Sequence, residues 1–231
     1  MVVLAGLALA PATPAFAQRE TRPEIKRCAD LEPLEDGQIG RTRPAVLPRD
    51  FARITRITRD RLAISTMGGS TICVDMRIKG EVSNFALSPD QRFFSFDWEG
   101  YEADGHVIVD RMGAGLQIDT GNPPVFSPSR RRFAAVHQSE AAFSDLEGFG
   151  VWQLTPTTLQ KLANVTNIPE MVDWKIDSWQ GEDCLMLSAI PFSRVPEDQT
   201  NYTDITRDRF IAKPYGRTWR VTKATARGCA A

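Results

Sequence analysis

Read for apolar and polar positions, the chain from Phe51 onward is a succession of short β-prone runs separated by turn residues. Ala52–Ile57, Arg61–Thr66 and Thr71–Arg77 are rich in β-branched residues, and Thr58-Arg59-Asp60 and Met67-Gly68-Gly69-Ser70 split them. Short alternating runs bounded by Gly, Pro, Asp and Ser predict strands joined in a meander. The next unit predicts strands at Asn84–Leu87, Arg92–Trp98, His106–Arg111 and Leu116–Asp119. A third unit repeats the pattern at Pro124–Phe126, Arg132–His137, Gly150–Leu154 and Leu159–Val165. A looser fourth has Met171–Ile176, Cys184–Ile190, Arg209–Lys213 and Arg217–Thr222, with a long polar loop from Pro191 to Arg207. No stretch carries the 3.6-residue period of an amphipathic helix, so the fold class is all-β.

One phrase occurs twice. Ser88-Pro89-Asp90-Gln91-Arg92-Phe93-Phe94 returns roughly 40 positions later as Ser127-Pro128-Ser129-Arg130-Arg131-Arg132-Phe133. An apolar residue, Leu87 or Phe126, precedes each Ser-Pro turn and a β-prone run follows it. A strand–turn–strand unit at this period marks a β-propeller blade. The expected architecture is a propeller-like array of about four four-stranded antiparallel units. A two-sheet sandwich is the competing arrangement, and the recurrence favours the array.

The stretch Phe85 to Phe96, with its Leu87-Ser88-Pro89-Asp90 turn, resembles the repeat of the TolB-type β-propellers. His106-Val107-Ile108-Val109-Asp110 is similar to the third strand of that repeat, which ends in a Val-Asp pair. The second copy, Val125 to Val136, matches less closely because Ser129 replaces the Asp. The resemblance implies an exported, non-catalytic binding propeller. Because the chain holds fewer units than that family's ring, it also implies an open or incomplete one, whose edge the segment before Phe51 would cover.

Composition narrows the setting. Residues 1–17 join an apolar run, Val2 through Ala10, to Ala15-Phe16-Ala17, the small-residue pattern of a signal-peptidase site, although no Lys or Arg precedes the run. The run is too short to span a bilayer. Residues 18–50, with Pro23, Pro33, Pro44 and Pro48, read as an extended leader, and residues 51–231 as a single all-β domain. A periplasmic or secreted location is expected. A net charge of −1 offers no electrostatic case for nucleic acid, and no apolar stretch is long enough to cross a membrane.

Cys28, Cys73, Cys184 and Cys229 are an even set in an exported chain, which predicts disulfides. Three pairings are open. The equal sequence separations of Cys28 from Cys73 and of Cys184 from Cys229 favour two local staples over a Cys28–Cys229 clasp. Neither CxxC nor a histidine-bearing ligand spacing accompanies them, so no metal and no cofactor is expected.

Candidate chemistry is sparse. His106 and His137 lie at predicted strand ends without a G-x-S-x-G nucleophile turn, which argues against an enzyme. The acidic loop Asp97-Trp98-Glu99-Gly100-Tyr101-Glu102-Ala103-Asp104 offers carboxylates to a cation and aromatic area to a partner. Arg130, Arg131 and Arg132 form a basic triplet that would face the acidic loop or a partner's carboxylates. Trp179, beside a Gln-Gly turn, is the tryptophan to inspect for exposure. These residues are the candidates for binding a protein or cell-envelope partner. The alternative is a hydrolase or lyase acting on an envelope glycan or polymer through the loop carboxylates.

Overall fold

The computed structural model describes residues 21–28, 45–100, 103–138, 146–196, 202–225 and 228–229. The segment expected as a signal peptide and most of the expected leader lie outside them. Among the described residues, fifteen strands form four antiparallel sheets in chain order. The first contains β1 (Thr55–Ile57), β2 (Arg61–Ser65) and β3 (Thr71–Asp75). The second contains β4 (Glu81–Leu87), β5 (Phe93–Glu99), β6 (Asp104–Asp110) and β7 (Leu116–Asp119). The third contains β8 (Val125–Phe126), β9 (Arg132–His137), β10 (Gly148–Leu154) and β11 (Leu159–Val165). The fourth contains β12 (Val172–Trp179), β13 (Leu185–Ile190), β14 (Asp208–Tyr215) and β15 (Thr218–Lys223).

The first sheet has the three strands that its three β-prone runs predict, one fewer than each of the other units. The segment before β1 turns into a 3-10 helix at Arg49–Phe51. Phe51 plugs edge-on against Phe94, with ring centroids 5.4 Å apart, instead of continuing a ladder. Among the described residues this sheet has three strands.

Side-chain alternation explains how the sheets stack. In β5, Phe94, Phe96 and Trp98 point toward the first sheet and join Ile54, Leu62, Ile64, Val74 and Met76. Phe93, one position out of phase, points the other way and meets Phe133, Ala135 and Trp152 of the third sheet. Strand β9 repeats the device. Phe133 and Ala135 face the second sheet, and Ala134 and Val136 face Leu185, Leu187 and Phe210 of the fourth. Each inner sheet is thus apolar on both faces. Burying one such Phe or Leu side chain contributes about 1.5–3 kcal/mol.

The two Ser-Pro turns are the same structure. Gln91 N donates to Ser88 O at 2.7 Å and Arg130 N to Ser127 O at 2.8 Å. The serine hydroxyl then accepts from Phe93 N at 2.9 Å in one turn and from Arg132 N at 3.3 Å in the other. Gln91 and Arg130 both take the left-handed conformation, at φ 59° and 55°. Asp90 and Ser129 are interchangeable here because either side chain accepts one backbone N–H, at 3.2 Å in both turns.

At this end of the strands an arginine crosses every seam. The buried Arg111 donates to Ser65 O and Gln91 O, both at 2.7 Å. Arg92 binds Asp110 through two bonds of 2.9 and 2.8 Å and reaches the third sheet at Thr155 O, 2.7 Å away. Arg132 reaches the fourth sheet at Glu182 O, 2.8 Å, and Asp183 Oδ1, 2.5 Å.

Each end sheet is stapled by a disulfide to a segment from near one end of the chain. Cys28 is bonded to Cys73 and Cys184 to Cys229. The 3-10 turn Ile25–Cys28 packs on β2 and β3, with Thr21 Oγ1 donating to Gly69 O at 3.1 Å. Gly228 lies against Met186, on the face of β13 turned away from the core. No ladder joins the fourth sheet to the first among the described residues.

Candidate functional site

The Ser-Pro turns and the acidic loop leave opposite ends of β5. Arg92 places the β10–β11 turn of the third sheet at the Ser-Pro end as well, so the arginine triplet does not face the acidic loop. Antiparallel connectivity sets this: the triplet belongs to the β8–β9 turn, which corresponds to β4–β5 and not to β5–β6. Arg130 lies over Phe126, 4.8 Å from the ring centroid. Arg131 is exposed, and its carbonyl accepts Gln153 Nε2 at 2.9 Å. Arg132 is committed to the seam.

The acidic loop divides in the same way. Trp98 is 4% exposed and shares its strand phase with Phe94 and Phe96. Its indole Nε1 donates to Asp119 Oδ2 at 3.3 Å, and Lys79 Nζ lies 4.2 Å from its ring centroid. It is a core residue and offers no contact area to a partner. Trp179 is the one tryptophan of the five that is only partly buried. It donates to Val125 O at 2.9 Å and meets Trp219 edge-on. Asp97 turns toward the third-sheet side, where its Oδ1 lies 2.5 Å from His106 Nδ1 and its Oδ2 accepts Asn84 Nδ2 at 2.7 Å. Tyr101 and Glu102 lie outside the described residues.

Glu99 and Asp104 remain outward. They are direct partners across β5 and β6, and Glu81 is the partner of Glu99 across β4 and β5. Three exposed carboxylates therefore stand side by side on adjacent strands, and among the described residues none of them forms an ion pair. Like charges directly opposite on neighbouring strands are destabilising. Glu81 was not a sequence candidate because the predicted strand began at Asn84. The signal was the alternation Glu81-Val82-Ser83, which continues that strand backward.

Asn84 shows a second feature of this end. The β4 ladder slips between Ser83 and Ala86, with Asn84 at φ 51°, and β12 slips between Val172 and Lys175, with Asp173 at φ 49°. Asn and Asp tolerate this conformation better than other side chains. Each bulge delivers the next aromatic, Phe85 or Trp174, to an inter-sheet core. Asp173 is then gripped by Arg207 Nη1 at 2.6 Å and Lys175 Nζ at 2.9 Å. Burial opposes its ionisation, but these two hydrogen bonds outweigh it and hold the carboxyl below its ordinary range. Arg207 also donates to Ser188 Oγ at 3.0 Å, and that hydroxyl donates to Asp177 at 2.8 Å. Sequence reasoning left Arg207 as the end of a polar loop.

Both histidines sit in the seam between the second and third sheets. His106 shares its strand phase with Ile108, which faces the third sheet, and His137 shares its phase with Phe133 and Ala135, which face the second. Between them runs Thr120-Gly121-Asn122. Thr120 N donates to His106 O at 2.8 Å, and Asn122 Nδ2 to Val136 O at 2.8 Å. The His137 ring packs directly on Gly121, where an added Cβ would lie 2.0 Å from the ring. His137 Nε2 is buried without a hydrogen-bond partner. Among the described residues, no group of three His, Cys, Asp or Glu side chains is placed to hold a metal ion, and no helix is long and apolar enough to cross a membrane. No protein-family model and no curated protein matches the chain.

Proposed function

We propose that this is an exported, propeller-like binding scaffold, periplasmic in setting, whose acidic-loop end receives a basic segment of a protein or cell-envelope partner. The observation that carries the reading is the row Glu81–Glu99–Asp104, three outward carboxylates on adjacent strands that form no ion pair among the described residues. Their mutual repulsion costs stability, and a cationic partner would relieve it. Of the other charged side chains near the seams, Asp97 is held by His106, Arg132 by Asp183 and Asp173 by Arg207. Four sheets locked by an arginine at each seam make a rigid platform, and two disulfides suit an oxidising compartment. The duplicated Ser-Pro turn supports the propeller-like reading, and the TolB-type resemblance supports a binding role.

The test is capture of envelope proteins by chemical crosslinking, comparing the native chain with an E81Q/E99Q/D104N variant. The variant should melt at a higher temperature and lose its salt-sensitive crosslinks. If it captures the same proteins at the same yield, the acidic row is not the contact surface.

A further inference from the structure

The three seams do not close alike at their outer strands. β3 packs beside β7 and β11 beside β15, whereas β7 and β11 stand apart. A cleft of about 290 Å³ opens there between the second and third sheets. Leu116 and Ile118 of β7 form one wall, and Leu146, Trp152 and Leu159 form the floor and the facing wall. Leu116 is 42% exposed, an unusual state for a leucine within a strand that faces a neighbouring sheet.

Lys161 completes the cleft. The β10–β11 ladder shifts register between Val151 and Trp152, which makes Lys161 the direct partner of Trp152. Its ammonium lies 5.5 Å from the Trp152 ring centroid, and among the described residues it has no carboxylate partner. Gln117 and Asp119 also line the cleft, and the Asp119 carboxylate is already held by Trp98 Nε1 and Lys79 Nζ. A mostly apolar trough in which Lys161 is the charged side chain left without an ion pair among the described residues is complementary to a molecule with an apolar body and a single anionic head. The volume lies at the lower end of small-molecule sites, which run from about 300 Å³ upward, so it suits one acyl chain or one ring system and not a nucleotide. A protein partner would need about 1,000 Å² of buried surface, which a trough of this size does not supply alone.

We propose that this cleft binds a small apolar carboxylate, a medium-chain acyl or aryl acid. Its body lies between Leu116 and Ile118 on one side and Trp152 and Leu159 on the other, and its carboxylate meets Lys161. The site is independent of the acidic row and goes beyond the scaffold role.

The experiment titrates the full exported chain with decanoate and, separately, with decanol. It reads heat by calorimetry and backbone amide shifts by NMR. Decanoate should bind with a dissociation constant of about 0.1–1 mM and shift the amides of β7 and β11. Decanol should bind about tenfold more weakly. Lys161→Gln should abolish that preference while leaving decanol binding unchanged, and Leu116→Asp should weaken both ligands. Both substituted side chains are exposed, and an unaltered circular dichroism spectrum would verify folding. Equal affinity for the acid and the alcohol, shifts confined to other strands, or no binding at about 5 mM would each overturn the proposal.

Discussion

Replacing Arg92 with Met tests whether the seams are locked by their arginines. Arg92 and Asp110 have side chains only 11% and 1% exposed. The substitution removes both bonds to the carboxylate, leaving Asp110 with the Met112 N–H at 3.0 Å as a remaining donor. It also strips Thr155 O and Thr158 O of their guanidinium donors. Breaking a buried pair by removing one partner costs about 3–5 kcal/mol, because a desolvated charge is left behind. In a domain of this size that corresponds to a melting-point drop of roughly 6–20 °C. The corresponding seam residue Arg132 pairs with Asp183, whose side chain is 67% exposed. For Arg132→Met, loss of that ion pair should cost about 1 kcal/mol or less. Urea unfolding at constant m-value separates the two. The double variant R92M/D110N should be less unstable than the sum of its parts by about 2 kcal/mol. An Arg92→Met cost below about 1 kcal/mol, or one equal to that of Arg132→Met, would refute the idea that this pair bears the seam.

Three further outcomes are expected. Gly121→Ala should cost about 3 kcal/mol, because its Cβ meets the His137 ring and Gly121 sits at φ 65°. His137→Ala in the same background should recover part of that loss in urea midpoint, and no recovery would place the strain elsewhere. Replacing either cysteine pair with serine should lower stability by about 4 kcal/mol in the chain-entropy model, equally for both because the two loops are the same length. Calorimetric melts of the two double variants would show this, and a wide disparity would contradict it. Asp90, Asp173, Glu182 and Asp208 all have carboxyl groups held below their usual range. Their contribution is therefore complete above the unfolded carboxylate value of about 4 and is lost as pH falls through the folded values. The urea midpoint should hold from pH 7 to 5 and fall by pH 3, and Asp173→Asn should flatten that acid limb.

Much of the fold was legible because its determinants are local. Alternation of Phe94, Phe96 and Trp98 fixes the phase of β5, and Ser-Pro followed by Asp or Ser fixes a turn whatever surrounds it. Equal cysteine separations pointed to the staples. The misread positions are those where direction depends on phase or on a neighbouring sheet. Trp98 lies in the phase of Phe94, so it was readable as core had the acidic loop been started at Glu99. Arg132 occupies the site held by Phe93 in the preceding repeat, and the equivalence appears only when the turns are aligned on their serines. The left-handed Asn84 and Asp173 had no sequence mark, because their bulges answer a tertiary demand to seat Phe85 and Trp174. The Lys161 cleft was equally hidden, since it depends on which outer strands meet.

The two staples also decide how the molecule would carry tension. Force applied between Thr21 and Cys229 passes from Cys28 straight into Cys73 and leaves through Cys184 into Cys229. The segments inside those loops, which hold β1, β2 and β13 to β15, are bypassed. They stay slack however hard the ends are pulled. Only β3, the second and third sheets and β12 lie on the loaded path, so the seam arginines Arg92 and Arg111 and the cleft beside Lys161 fall in the one part of the chain that stretching would open.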